Sequence, residues 1–79
     1  MSPTVFREGP FRFYFFSREE TRIHIHVQSA GGEAKFWIEP NIELAVNDGL
    51  SGRELNRIQR LVGDHEDEIR QAWNTHFGS

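Results

Sequence analysis

Between Arg22 and Gln28 the chain alternates without interruption: Ile23, Ile25 and Val27 in one set, Arg22, His24, His26 and Gln28 in the other. A period of two is the signature of a strand with one face in a core and the other in contact with something polar. It excludes a helix here and demands a second layer to cover the isoleucines. A second alternating run follows, with Ala34, Phe36 and Ile38 in one set and Lys35, Trp37 and Glu39 in the other. Gly31-Gly32 stands between them, a favoured hairpin loop. Pro40 ends the second run.

The flanking segments extend the pattern. Thr4-Val5-Phe6-Arg7 is a short β-prone stretch, and Gly9-Pro10 is a turn signal. Phe11 to Phe16 is dense in aromatics and bounded by turns, which favours a strand. Ser17-Arg18-Glu19-Glu20 reads as a polar turn, and the regular alternation starts at Thr21. A fifth, short strand is expected over residues 41–46, with Asn47-Asp48-Gly49 as its turn.

Beyond Gly49 the period changes. Ser51 with Glu54 forms a capping box, and Leu55, Ile58, Val62, His65, Ile69, Ala72 and His76 recur at helical spacing, widened by Leu61 and Trp73. The stripe runs through Gly63 in phase, which predicts one long helix over about 52–77, with Gly63 as the place for any kink. The alternative is a split at Gly63-Asp64, which the charges favour: Arg57 and Arg60 precede it and Asp64, Glu66, Asp67 and Glu68 follow it. The expected fold is therefore α+β, one domain over residues 1–79. Four or five antiparallel strands form a meander over about 4–46, and a C-terminal helix packs on the Ile/Val/Phe face.

Composition narrows the function classes. At 79 residues with 37% hydrophobic and 27% charged, the chain is too polar for a membrane span and too apolar for disorder. A net charge of −3 and a pI near 5.7 do not suit broad binding to a polyanion. The absence of cysteine excludes disulfides and thiolate metal sites and fits a reducing cytosol. No basic stretch followed by an apolar run marks a secretion signal at the start, so the expected location is cytoplasmic, with no membrane association. Five of the seven phenylalanines fall within the first sixteen residues. A core this thin holds few such rings, so some are expected to meet a partner protein or a second copy.

If Gly31 and Gly32 are the loop residues, Gln28 opposes Lys35, His26 opposes Trp37 and His24 opposes Glu39, all on one face. The preceding strand adds Arg12, Tyr14 and Phe16, or, in the opposite phase, Phe13 and Phe15. His24, His26, Lys35 and Glu39 form a candidate catalytic set for metal-independent RNA cleavage. A histidine titrating near neutral pH can take a 2′-hydroxyl proton or donate to the leaving oxygen. Lys35 or Arg12 would stabilise charge on the phosphate, and Trp37 or Tyr14 would stack a base. The same face has two other readings. It is the solvated side of a two-layer sandwich, or it is an interface built on Arg12, Tyr14, Phe16 and Trp37. His24 and His26 with Glu39 also have the types of a zinc site, but the spacing is common and neither a metal nor any other cofactor is expected. Arg53, Arg57 and Arg60 line one side of the helix, as a partner-facing stripe or as a solvated flank with Arg57 near Glu54. The acidic run from Asp64 to Glu68 would repel a phosphate backbone on that helix.

Pro3-Thr4-Val5-Phe6-Arg7, the aromatic run Phe11 to Phe16, His24-Ile25-His26-Val27, Glu33-Ala34-Lys35-Phe36-Trp37 and Ala72-Trp73 together resemble the small bacterial domain-of-unknown-function family numbered 4160. The resemblance covers nearly the whole chain. The family's usual Pro-Pro before the histidines is replaced here by Thr21-Arg22-Ile23, and its proline after the serine cap by Gly52. Members of the family are often encoded beside a second small protein, an arrangement similar to toxin–antitoxin modules. The resemblance thus implies a protein partner and, more weakly, a nuclease. The expected function is a protein-interaction module in such a pair. An RNA-cleaving toxin and a structural homodimer without catalysis are the alternatives.

Overall fold

A computed structural model describes residues 4–16 and 22–78. The polar turn expected at Ser17-Arg18-Glu19-Glu20, the strand start at Thr21 and the residue Pro3 lie outside the described residues. Five strands form one antiparallel sheet in sequence order: β1 (Thr4–Glu8), β2 (Phe11–Tyr14), β3 (His24–Ser29), β4 (Gly32–Trp37) and β5 (Glu43–Asp48). Two helices follow, α1 (Gly52–Asp64) and α2 (Glu66–Phe77). The expected α+β meander is present, but its fifth strand begins and ends two residues later than the expected 41–46, so Asn47 and Asp48, expected in the turn, belong to the strand. Among the described residues no helix is long and apolar enough to cross a membrane.

Alternation decides what the sheet buries. Phe11, Phe13 and Phe15 lie in the core with Ile25, Val27, Ala34, Phe36 and Ile38, beneath Ile58 and Val62 of α1 and Ile69 and Trp73 of α2. Pairing of Phe13 with Val27 and of Arg12 with Gln28 fixes the phase of β2. Arg12 and Tyr14 therefore sit on the face away from the helices.

The hairpin register departs from expectation. Ser29 pairs with Gly32, so the loop is Ala30-Gly31, and His24 opposes Trp37 while His26 opposes Lys35. The two-residue slip keeps every side chain on its expected face but changes every cross-strand neighbour. The cause lies in β5. A Cβ on Gly32 would run into the Asp48 carbonyl oxygen and crowd the Gly49 backbone. Gly32 is thus required inside the strand, where a side chain has no room, and is not free to serve as a loop residue.

The helical segment is two pieces, not one long helix, and the break falls at His65, not at Gly63-Asp64. Ser51 and Glu54 form the predicted capping box, with Ser51 Oγ accepting from the Glu54 amide at 3.1 Å and Glu54 Oε1 accepting from the Ser51 amide at 3.0 Å. His65 (φ −107°, ψ 17°) closes α1 and opens α2. Its ring stacks on Phe6 at 3.9 Å between centroids, and its Nδ1 bonds to Glu68 Oε1 at 2.7 Å. These contacts fix the residue that leaves helical geometry. Glu66, Asp67 and Glu68 then occupy the first turn of α2, where the helix dipole favours them.

Gly63 is consequently a helical residue in the last turn of α1, and a Cβ there would meet only Ile42 Cδ1 at an ordinary 3.9 Å. Gly63→Ala should stabilise the fold by about 0.5–1 kcal/mol, a rise of roughly 3–6 °C in the thermal midpoint. A fall in the midpoint by circular dichroism would show that Gly63 is needed as a helix terminus.

Candidate functional site: the outer sheet face

The side of the sheet away from the helices displays three rows of side chains across the strands. The first runs Arg7, Arg12, Gln28, Glu33, Asp48. The second runs Thr4, Tyr14, His26, Lys35, Val46. The third holds His24, Trp37 and Glu43. Irregularities between Thr4 and Phe6 in β1 and opposite Lys35/Phe36 in β5 keep the edge strands in phase with this face.

The second row is aromatic at its centre. The His26 ring lies 5.5 Å from Tyr14, near parallel, and 4.3 Å from Phe16. The Arg12 guanidinium sits 4.5 Å above Tyr14, donates to Thr4 Oγ1 at 2.8 Å and reaches Gln28 Oε1 at 3.4 Å. Tyr14, Phe16, His26, Lys35, Val46 and Asp48 line a groove of about 220 Å³. Sites that enclose small molecules usually occupy roughly 300–1,000 Å³. This groove is smaller, with Val46 55% and Phe16 44% exposed beside it.

His24 contradicts the expectation that both imidazoles face solvent. It is fully buried, packed edge-on against Trp37 at 5.5 Å and Trp73 of α2 at 5.1 Å. Its Nδ1 lies 2.7 Å from the Arg22 carbonyl oxygen. A carbonyl only accepts, so Nδ1 carries the proton and donates it. The ring is a strut at the end of the sheet, and its nitrogens are held away from any substrate. His26 is only partly covered and remains on the open part of the face.

Glu39 likewise leaves the expected cluster. It follows β4, next to the cis Glu39–Pro40 bond, and does not pair with His24. Its carboxylate lies 3.8 Å from Arg70 of α2, which also holds Glu66 at 2.9 Å. The candidate catalytic set therefore separates: His26 and Lys35 are cross-strand neighbours, and His24 and Glu39 serve the packing of α2. Among the described residues no three histidines or carboxylates are arranged to hold a metal ion.

Of the interface residues, Arg12, Tyr14, Phe16 and Trp37 do share the outer face. Trp37 carries two cations against its ring, Arg22 at 4.1 Å and Lys35 at 4.3 Å. Arg53, Arg57 and Arg60 belong to α1, on the other side of the sheet, so they do not join that surface. Arg57 lies over Phe11 at 5.6 Å, bracing the β1–β2 turn instead of pairing with Glu54. Sequence reading missed Arg7, Glu33, Val46 and Asp48, because their place on this face depends on the two edge strands and on the corrected register. It placed Arg22 on the face of His24 by parity but gave it no part in the candidate site.

Replacing His24 with Ala should remove the strut, its hydrogen bond and its ring contacts, at a cost of about 2–3 kcal/mol in a urea melt. His26→Ala, at a part-open position, should cost less than about 1 kcal/mol. Equal stability of the two variants would contradict the buried role of His24.

No curated protein and no solved structure matches the chain. The family model described as "Domain of unknown function (DUF4160)" matches residues 10–74, which includes β2 to β5, α1 and most of α2. With that much of its length matched, the chain belongs to the DUF4160 family.

Proposed function

We propose that this protein is a cytoplasmic interaction module, one member of a toxin–antitoxin-like pair, and that it holds its protein partner on the outer face of the sheet. The observation that carries this reading is the exposure of Phe16 and Val46 around Tyr14, His26 and Lys35, on the side opposite both helices. Aromatic and aliphatic anchors inside a charged rim are the usual anatomy of a protein–protein contact. At about 220 Å³ the groove is smaller than sites that enclose small molecules.

RNA cleavage on the same face draws less support. One of its two histidines is sealed in the core with Nδ1 committed to a backbone carbonyl. Glu33 and Asp48 rim the groove and would repel a phosphate backbone. Of the four residues expected to form the catalytic set, only His26 and Lys35 are cross-strand neighbours on this face.

The test reconstitutes binding to the small protein encoded alongside. Val46→Asp or Phe16→Asp should weaken that complex at least 10-fold while the thermal midpoint stays within a few degrees. Gly63→Ala, in α1 on the opposite side of the sheet, should bind as the unmodified chain does. Cleavage of RNA by the purified protein, abolished by His26→Ala, would contradict this reading.

A further inference from the structure

β1 and β5 are the two edges of the sheet. The outward backbone N–H and C=O groups of an edge strand are open to another chain, and folded proteins guard them with charge, with proline or by covering them. β1 is guarded. Arg7 and Glu8 are exposed along it, and Phe6 is taken up by stacks on Phe13 at 4.2 Å and on His65 at 3.9 Å. β5 has neither proline nor lysine, and five of its six residues are exposed. Among the described residues, none outside the sheet forms a backbone hydrogen bond to it. Of the three large hydrophobic side chains exposed among the described residues, two are on this strand, Leu44 at 41% and Val46 at 55%.

These two apolar residues lie on opposite sides of the sheet. Val46 pairs with Lys35 on the outer face and Leu44 pairs with Phe36 on the helix side, because the irregularity opposite Lys35/Phe36 leaves Ala45 between them without a cross-strand partner. A body resting on the outer face reaches Val46 only. A strand laid along the edge reaches both, since its own side chains alternate between the two faces. The edge is also acidic. Glu43 and Asp48 stand at its two ends, and Asp48 faces Glu33 directly across on β4. Among the described residues neither Glu33 nor Asp48 takes part in an ion pair, and Glu43 has only Arg22 at 4.0 Å. Like charges directly opposed across strands are unfavourable, so this end of the edge favours an incoming cation.

We infer that β5 is the docking edge for an extended segment of the protein partner, which adds to the five-stranded sheet as a further strand and carries an apolar centre flanked by lysine or arginine. This deepens the reading of the outer face as an interaction surface and rests on it. Val46 belongs both to the edge and to the groove on the outer face. One partner therefore covers the groove and continues past it onto the edge. The backbone of β5 supplies hydrogen bonds, Leu44 and Val46 supply an apolar contact on each side, and Glu33, Glu43 and Asp48 select the charge of the segment. A partner confined to the outer face would leave Leu44 and the outward amides of β5 in water.

The test is amide hydrogen exchange, followed by NMR on the full chain alone and in complex with the small protein encoded alongside. In the free chain the β5 amides that point away from β4 should exchange fast. In the complex their exchange should slow by roughly 10-fold or more, while the outward amides of β1 do not change. Asp48→Lys tests the charge. In the free chain it sets a cation opposite Glu33, so the thermal midpoint should hold or rise. In the complex the same change should weaken binding roughly 10-fold, and Asp48→Asn should weaken it less. A complex whose outward β5 amides keep their free-chain exchange overturns the added strand, and if Val46→Asp still disrupts that complex, the interaction face stands without it. Binding unchanged or tightened by Asp48→Lys overturns the basic segment. Outward β5 amides already protected in a free chain that sediments at twice its 9.2 kDa mass would make a second copy the occupant and overturn the partner segment. Failure to form any complex removes the interaction face and this inference with it.

Discussion

Every side chain on β2, β3 and β4 is committed by strand geometry to one of two layers. Phe11, Phe13, Phe15, Ile25, Val27, Phe36 and Ile38 take the helix side. A slip of one residue in β2 would press Arg12 and Tyr14 into that core and strip Phe13 and Phe15 from it. Burying one uncompensated guanidinium costs several kcal/mol, a large part of the stability of a domain this size. The aromatic filling therefore fixes the phase of the sheet, and the phase in turn fixes what the outer face displays. The hydrophobic layer and the candidate site are two consequences of one constraint.

The layers were legible in the sequence because periodicity is local. Ile23 to Val27 and Ala34 to Ile38 named the covered face outright. The phase of β2 was legible as a preference, Arg12, Tyr14 and Phe16 on the polar face with the opposite phase left open because both sets contain aromatics, and pairing of Phe13 with Val27 settles it in that sense. The hairpin register was misread for a comparable reason. Gly31-Gly32 has the composition of a loop, but Gly32 is reserved by the close passage of the β5 backbone, residues distant in sequence. At the helix break, glycine chemistry pointed to Gly63, whereas the stack of His65 on Phe6 selects the residue two places on.

The candidate site depended most on what was not local. The expected register set Gln28 against Lys35, which mixes charges along the row. The observed register sets Gln28 against Glu33, and the row becomes two cations, an amide and two anions. The same slip removes Glu39 from His24. At the end of the sheet where β3 begins, Trp73 of α2 reaches His24 and closes it off. The surface therefore has a sealed end, built for packing, and an open end around His26, Lys35 and Val46.

That division is the central claim, and histidine acylation by diethyl pyrocarbonate, followed residue by residue by mass spectrometry, tests it most directly. His76, exposed on α2, and His26, on the open part of the sheet, should be modified in the folded protein. His24 should stay unmodified until denaturant unfolds the chain. Modification of His24 at the rate of His76 under native conditions would contradict the account, because it would return both imidazoles to the solvent side of the sheet.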